Sequence, residues 1–360
     1  MRMKKLILVF IVLSLSFGAC VRRKKEAAHG GVKTRLKIAS SYNSALPILG
    51  DSVKIMADRL ELSSGGAITV RLMEPQDVGG LQAILEAVSS GKVDAGYGSA
   101  GFWAGKLPAG PLFSSVPFGP EAGPYLAWMK QGNGMKLYQR MYDDAGYNVK
   151  VLLCTVLPPE TSGWFKKEIN NPDDLKGLKM RFFGLGARVM EKMDVSTMLL
   201  GGGEIYPAME KGVIDATEFS MPVIDKKIGL YKIAKYNYFP GWHQQSTLLE
   251  LIINKDKWNQ LPESQKALIE MACNESLMNS LAQGEGSQFQ VMRDNVEKYD
   301  VNIKRWDDAM LHAYEQAWKE VVQEESSKDQ FFNEVWTDLS QFRKNYALWE
   351  DNAYLPRKRK

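Results

Sequence analysis

Apolar positions along this chain follow two rhythms. Leu36 and Ile38, and later Ile68, Val70 and Leu72, recur at every second residue, which is the period of a half-buried strand. Residues 48–62 and 79–88 instead place apolar side chains three and four apart, the spacing of a helix packed on one face. Strand, helix, strand, helix in that order predicts an α/β fold with a mainly parallel sheet, and Tyr42 and Asn43 mark a polar loop after the first strand. A helix over residues 125–141 and a strand over 149–154 extend the pattern.

The second half repeats the rhythm and then turns helical. Strands are expected at 163–165 and 179–183, a helix at 187–193, and a strand at 249–253 that returns to the first sheet. Pro262 suits the first turn of a long linking helix running toward Tyr299, and residues 301–303 read as a short strand. Two amphipathic helices close the chain. In the last, Phe331, Val335, Trp336, Leu339, Phe342 and Tyr346 form an apolar stripe that must pack on its own lobe or on a second subunit.

One phrase occurs twice: Ala87-Val88-Ser89-Ser90-Gly91-Lys92-Val93-Asp94-Ala95 and Ala208-Met209-Glu210-Lys211-Gly212-Val213-Ile214-Asp215-Ala216. Each copy ends an apolar helix at a glycine suited to the C′ position and enters a strand directly. Two such βαβ centres predict two similar lobes. Residues 34–156 with 246–300 would form lobe I and residues 157–245 lobe II, with C-terminal helices over 301–346 on lobe II or a partner and a tail over 347–360.

The first residues set the compartment. Arg2, Lys4 and Lys5 precede an apolar run over 6–15, too short for the roughly 20 residues of a membrane span, and the run ends in Phe17-Gly18-Ala19-Cys20. Residues 1–20 therefore read as a secretory signal. Phe17 is too large for ordinary signal cleavage, so Cys20 is the candidate lipidated first residue of the mature chain. Residues 21–33, with Arg22, Arg23, Lys24 and Lys25, suit a tether beside anionic headgroups. Cys154 and Cys273 sit in apolar company and point to buried thiols, with a single disulfide still open in an oxidising compartment.

Several chemistries are excluded. The formal net charge of +4 is owed partly to the two basic ends, and no basic stripe with interleaved aromatics runs through the body, so nucleic acid is not a partner. Gly96-Tyr97-Gly98-Ser99-Ala100-Gly101 has the spacing of a dinucleotide fingerprint, but Pro108, Pro111, Pro117 and Pro120 follow where a phosphate-binding helix should begin. His29, His243 and His312 form no zinc spacing, and Ser99 lacks the glycine that a nucleophile elbow needs two places earlier. No catalytic constellation is visible.

Ligands of open α/β sheets bind beyond the carboxyl ends of the strands, and the doubled phrase marks two such ends. Phe102 and Trp103 follow the first, Glu218 and Phe219 the second. Arg181, interrupting Leu178-Lys179-Met180-Arg181-Phe182-Phe183, is suited to clamp a carboxylate or to pair with Glu204 or Glu218.

The stretch from Asp173-Asp174-Leu175-Lys176-Gly177 to Arg181, with Glu204 to Glu218, resembles the signature of extracytoplasmic solute-binding subunits of TRAP transporters. Tyr236-Asn237-Tyr238-Phe239-Pro240-Gly241-Trp242-His243 is similar to the branch binding 2-oxoacids and related monocarboxylates. The resemblance implies a two-lobed periplasmic-binding-protein fold closing over a small organic anion, with Arg181 on its carboxylate. It implies no enzymatic activity and no required cofactor, a sodium or calcium ion beside the ligand, and TRAP membrane subunits as partners. A homodimer through the long C-terminal helix and a tetratricopeptide-repeat lipoprotein are further partners it suggests.

Departures from the branch pattern bear on the ligand. Glu160 and Gln244 exchange the acid and amide expected at those places, although both still offer oxygen to a hard cation. Phe219 replaces a tryptophan, and Gly101-Phe102-Trp103-Ala104-Gly105-Lys106 lacks two phenol hydroxyls of the family loop, which makes the cleft more apolar. Arg181, Phe102, Trp103, Glu160, Glu218, Phe219 and Trp242 are the expected ligand-binding residues, and Glu160, Phe219 and Gln244 the expected neighbours of the cation. Hinges are expected near Leu157 and Gln245. The functional expectation is a lipid-anchored periplasmic receptor for a 2-oxoacid, lactate-like or more hydrophobic monocarboxylate. Its alternative is a sensor or scaffold lipoprotein that keeps the fold.

Overall fold

The computed structural model describes residues 32–355. The signal segment, Cys20, most of the tether and the basic cluster Arg357 to Lys360 lie outside the described residues.

Two mixed sheets organise the chain. The first has strand order β2-β1-β3-β10-β4, built from β1 (Thr34–Ser40), β2 (Ile68–Met73), β3 (Ala95–Gly98), β4 (Val149–Leu157) and β10 (Thr247–Asn254). β1 runs parallel to β2 and β3, whereas β10 is antiparallel to both β3 and β4. All eight residues of β10 are buried, the returning strand being inserted between β3 and β4. The second sheet follows the order β11-β9-β5-β8-β6-β7, from β5 (Gly163–Phe165), β6 (Lys179–Arg181), β7 (Ser196–Met198), β8 (Ala216–Thr217), β9 (Tyr236–Phe239) and β11 (Asn302–Arg305). Here β5 is the antiparallel member, set between β8 and β9.

The doubled phrase builds the same joint in both sheets. Gly91 and Gly212 end their helices in the left-handed region, at φ +75° and +69°, where a side chain would be strained. Asp94 N donates to Lys37 O at 3.1 Å and Lys37 N donates back to Asp94 Oδ2 at 2.8 Å. Asp215 N and Lys179 O, at 2.7 Å, and Lys179 N and Asp215 Oδ2, at 3.0 Å, repeat the exchange in lobe II. Each aspartate thus locks a new strand beside its parallel neighbour: Ala95 lies opposite Ile38, and Ala216 opposite Met180. The register of β8 against β6, which the site depends on, follows from this lock.

Helices cover both sheets, several broken where periodicity suggested continuity. They are α1 (Asp51–Ser63), α2 (Ile84–Ser89), α3 (Ala122–Gln131), α4 (Gly134–Asp144), α5 (Gly184–Lys192), α6 (Gly202–Glu210), α7 (Pro222–Ile228), α8 (Leu230–Ile233), α9 (Lys255–Gln260), α10 (Glu263–Gly286), α11 (Gln288–Tyr299), α12 (Asp308–Lys328) and α13 (Gln330–Ala353). The expected helix over 125–141 splits at Gly132, whose N–H caps α3 on Ala127 O and Trp128 O while its own backbone is extended. The expected long helix to Tyr299 breaks at Ser287. α10 packs on β4 and α1, α11 on α7 and α8, so the chain leaves lobe I at Ser287 rather than at residue 300.

The C-terminal pair packs on both lobes of its own chain, rather than on lobe II alone. α12 packs on α5 of lobe II, whereas α13 packs on α3 and α4 of lobe I. Phe332, Val335 and Leu339 are the buried residues of α13, and Trp128 Nε1 and Asn133 Nδ2 both donate to Asp338 at 2.7 Å. Among the described residues, no helix is long and apolar enough to cross a membrane.

Because the two aspartates do equivalent work, Asp94→Ala and Asp215→Ala should each lower stability by about 1 kcal/mol, the typical net value of one intramolecular hydrogen bond. Thermal unfolding of the two variants beside Glu210→Ala, an exposed control, measures this. A loss no greater than the control's would show that the shared lock carries no stability.

Candidate functional site

Arg181 ends β6 and is 3 % exposed. Its guanidinium is half engaged: Nε donates to Leu200 O at 3.1 Å, and Nη1 to Glu218 O at 2.9 Å and Glu218 Oε1 at 2.6 Å. Glu218 follows β8 directly, so the register of β8 against β6 delivers it to Arg181, and Glu218 N donates to Arg181 O at 3.1 Å. Phe183 N also donates to Glu218 Oε1, at 2.6 Å. Burial alone would raise the Glu218 carboxyl, yet the Arg181 charge, then the neighbouring His243 ring and the Phe183 N–H, hold it below the usual carboxylate range. Of the two partners left open for Arg181, Glu218 is the one it takes. Glu204 instead accepts from Gly201 N at 2.8 Å and caps α6.

The two strands of chain that cross between the lobes meet beside this pair. Glu160 lies on the outgoing crossing and Gln244 on the return, joined by Glu160 N donating to Gln244 O at 3.2 Å. Glu160 Oε1 accepts from Ser220 Oγ at 3.2 Å and from Thr247 Oγ1 at 3.3 Å, and Gln244 Nε2 donates to Thr247 Oγ1 at 2.6 Å. Burial, followed by the Glu218 and Asp225 charges, pushes the Glu160 carboxyl well above its usual range. Glu160 Oε2, Glu218 Oε2 and Gln244 Oε1 are buried acceptors without a hydrogen-bond partner. Leaving such oxygens unmatched costs about 1–3 kcal/mol each, so the site is built for something that matches them.

His243, fully buried, puts Nε2 at 3.7 Å from Glu218 Oε2, beyond hydrogen-bond distance, and packs its ring on Phe182. One atom each of Glu160, Glu218 and His243 lie within 4.8 Å of one another, a grouping able to hold a metal ion. Phe219, expected beside a cation, can serve there only through its backbone carbonyl, since its ring lies 5.3 Å from the Arg181 guanidinium carbon.

Lobe I closes the cavity with Tyr42, Leu49 and Phe102. The enclosed space is about 20 Å³, lined also by Glu160, Arg181, Phe183, Phe219, Ser220, Gln244 and Thr247. Phe102 meets Phe183 edge-on at 5.1 Å and Tyr42 at 5.9 Å. A methyl at Gly101 would stand 2.3 Å from the Phe183 ring, so the last glycine of the fingerprint-like run serves close approach of the lobes. A larger hollow of about 720 Å³ beside Tyr206 and Lys226 to Lys232 has no orphaned buried polar atom in its wall.

The model for bacterial extracellular solute-binding protein, family 7, also named DctP, matches residues 39–329. The chain belongs to that family. It is 31 % identical to the monocarboxylate 2-oxoacid-binding periplasmic protein of Nostoc sp., over 92 % of this chain and 90 % of that one. The solute-binding fold also matches solved TRAP proteins. The one from Bordetella bronchiseptica, a mixed-occupancy dimer with copurified calcium and picolinate, superposes with a TM-score of 0.86 at 28 % identity, covering 90 % of this chain and 95 % of that one. A second, from Colwellia psychrerythraea with bound calcium and pyruvate, gives 0.84 at 30 % identity, covering 89 % and 97 %. A third, from Pseudoalteromonas atlantica with sodium and pyruvate, gives 0.84 at 28 % over the same shares.

Within this solute-binding chain the cavity wall holds four of the seven expected ligand residues, Arg181, Phe102, Glu160 and Phe219, and a fifth, Glu218, stands behind it paired with Arg181. Trp103 and Trp242 are corrected. Trp103 turns into the lobe I core, where Nε1 donates to Glu250 Oε1 at 3.0 Å, and Trp242 stacks on Tyr314 at 4.4 Å behind the site. A buried indole N–H needs an acceptor, and Glu250 on β10 supplies it. Tyr42, Leu49, Phe183, Ser220 and Thr247 complete the wall without having been singled out. Only Phe183, at the end of the arginine strand, carried a signal.

Glu250 also accepts from Tyr138 at 2.5 Å and from Tyr142 at 2.7 Å, and burial pushes its carboxyl up to about 7 against these three donors. An unfolded glutamate titrates near ~4.3, so the folded state holds this proton more tightly. Its contribution to stability is complete below that value and is lost as pH rises through about 7, at up to ~1.4 kcal/mol per pH unit. Asp225, likewise raised to about 7 by burial, acts in the same direction. Denaturant unfolding from pH 5 to 7.5 should therefore show falling stability, with a shallower slope in Glu250→Gln. An unchanged slope in that variant would remove Glu250 as its source.

Proposed function

We propose that the protein is the lipid-anchored receptor of a TRAP-type transporter, closing on a small monocarboxylate together with a cation and handing it to the membrane subunits. The observation that carries this reading is the trio of buried, unmatched oxygens around a half-engaged arginine. A scaffold that kept only the fold would have no use for them. The Arg181 fork keeps Nη2 clear of Glu218, and a ligand carboxylate is the group such a fork suits. Among the described residues Arg181 is the only cation in the cavity wall, so one carboxylate is served and a second would be left unpaired. The 2-oxoacid binding stated for the Nostoc relative, and the pyruvate and picolinate of the solved relatives, agree with this chemistry.

Residues present fit a hard cation. Glu160, Glu218 and Gln244 each have an open oxygen, and the Phe219 carbonyl would supply a fourth. Counted with one bound carboxylate, and with Glu160 giving up its proton to the cation, Glu160 and Glu218 against Arg181 sum to two negative charges, which calcium balances and sodium leaves half met. The ion's contribution is to let ligand and protein carboxylates share one buried space.

Isothermal titration with pyruvate should show calcium-dependent binding weakened at least tenfold by chelator, with sodium becoming sufficient in Glu160→Gln. Arg181→Lys keeps a charge for Glu218 but loses the fork and should bind at least tenfold more weakly. Binding indifferent to chelator and to Arg181→Lys alike would overturn the assignment.

A further inference from the structure

Besides Glu160, Glu218 and Glu250, the protein buries a further carboxylate, Asp225 on α7, which is 0 % exposed and takes no part in the cavity wall. Both of its oxygens are occupied. Oδ1 accepts from Ser220 N at 3.1 Å, and Oδ2 accepts from Trp164 Nε1 at 2.7 Å and Thr161 Oγ1 at 3.4 Å. The donors come from two separate segments: Thr161 and Trp164 from the outgoing crossing and β5, Ser220 from the loop that leaves β8.

Those segments are the ones that carry the open oxygens. Thr161 follows Glu160, and Ser220 follows Glu218 and Phe219. The same two residues are joined directly, Thr161 N donating to Ser220 O at 3.0 Å, and Ser220 Oγ reaches Glu160 Oε1 at 3.2 Å. Asp225 therefore closes a brace behind the site, one residue away from an oxygen donor on either side.

We infer that Asp225 is a positioning residue for the bound cation: by tying the Glu160 crossing to the Glu218 loop, it sets the spacing of their oxygens and with it the size of ion the site accepts. This rests on the receptor reading, in which a cation accompanies the carboxylate. Burying a carboxylate only to satisfy an indole is costly, whereas joining the two segments gives that burial a use. The chemistry also requires a carboxylate. An amide of the same shape has a single acceptor oxygen and an indole N–H can only donate, so asparagine at 225 would turn its NH2 group toward either Trp164 Nε1 or Ser220 N. Selectivity among hard cations follows from cavity size and the rigidity of the oxygen cage, so a brace that fixes the spacing favours the ion that fits.

Isothermal titration of the full chain in saturating pyruvate, with calcium and with the larger barium ion, tests the brace. Asp225→Asn should weaken calcium about tenfold or more, the usual cost of losing an outer partner of a metal ligand, and barium less, so the calcium-to-barium affinity ratio falls. Thr161→Val removes one bond of the brace at nearly constant shape. It should lower the ratio in the same direction by a smaller step, and it carries the test if Asp225→Asn does not fold. In the metal-free chain, the Trp164 indole N–H should exchange with solvent faster in Asp225→Asn than in the natural chain. A ratio unmoved in the variants, including calcium and barium weakened alike as general loosening would cause, or an unchanged indole, overturns the positioning role and leaves the receptor standing. Pyruvate binding by the natural chain that ignores calcium overturns the cation reading and this inference with it.

Discussion

Everything at the centre of this molecule depends on one buried ion pair, Arg181 to Glu218. Burying two charges is costly, and such a pair is a poor investment in stability alone, because apolar residues of similar size often serve as well. Its use here is orientation. With Nε held by a backbone carbonyl and Nη1 by Glu218, the guanidinium plane is fixed before any ligand arrives. Preorganised donors lose little freedom on binding, which is where affinity for a small anion is usually lost. Glu218 is held in turn by Phe183 N, which leaves its second oxygen buried without a hydrogen-bond partner.

That pair exists because two strands are in register. The aspartate lock at Asp215 sets β8 against β6, and the ladder continues past the strands into Glu218 N on Arg181 O. The same lock at Asp94 sets β3 against β1, and the chain beyond it carries Phe102 to the opposite wall. A repeated phrase of sequence thus places both halves of the cleft, although the residues just beyond each copy differ in chemistry. Repetition builds the frame, and divergence after it decides what is bound.

Much of this was legible in the residues. The doubled phrase, the helix-ending glycines and the alternation of β1 and β2 are local signals, each read from a few neighbouring positions. Arg181 was conspicuous as a lone cation in an apolar strand. Trp103 and Trp242 misled because an aromatic near a cleft has two faces to choose from. Glu250, 147 residues away, claimed the first, and Tyr314 claimed the second. Tyr42 and Thr247 could not be found at all from spacing, since what makes them site residues is lobe closure, which sets them beside Arg181 and Phe219 of a segment far away in sequence. Helix breaks at Gly132 and Ser287 were hidden for a related reason: apolar periodicity continued on both sides while the surface being covered changed.

Closure is braced from outside the cleft as well. Arg343 on α13 donates from Nη2 to Phe118 O at 2.8 Å, and Phe118 N donates to Trp242 O at 2.7 Å. Trp242 is the residue before His243 and Gln244, so this chain of bonds reaches the return crossing from the last helix. α13 lies on lobe I and α12 on lobe II, joined at Asp329, whose carboxylate caps α13 by accepting from Phe332 N at 2.6 Å. Rotation of the lobes must therefore work against this helix pair as well as the two crossings. The free-energy difference between open and closed forms is set partly by packing far from the ligand, and a ligand shifts that equilibrium only by what it gains in the closed form alone. A head group held by Arg181, which belongs to lobe II, gains that difference through Tyr42, Leu49, Phe102 and Thr247, the lobe I residues that closure brings to it.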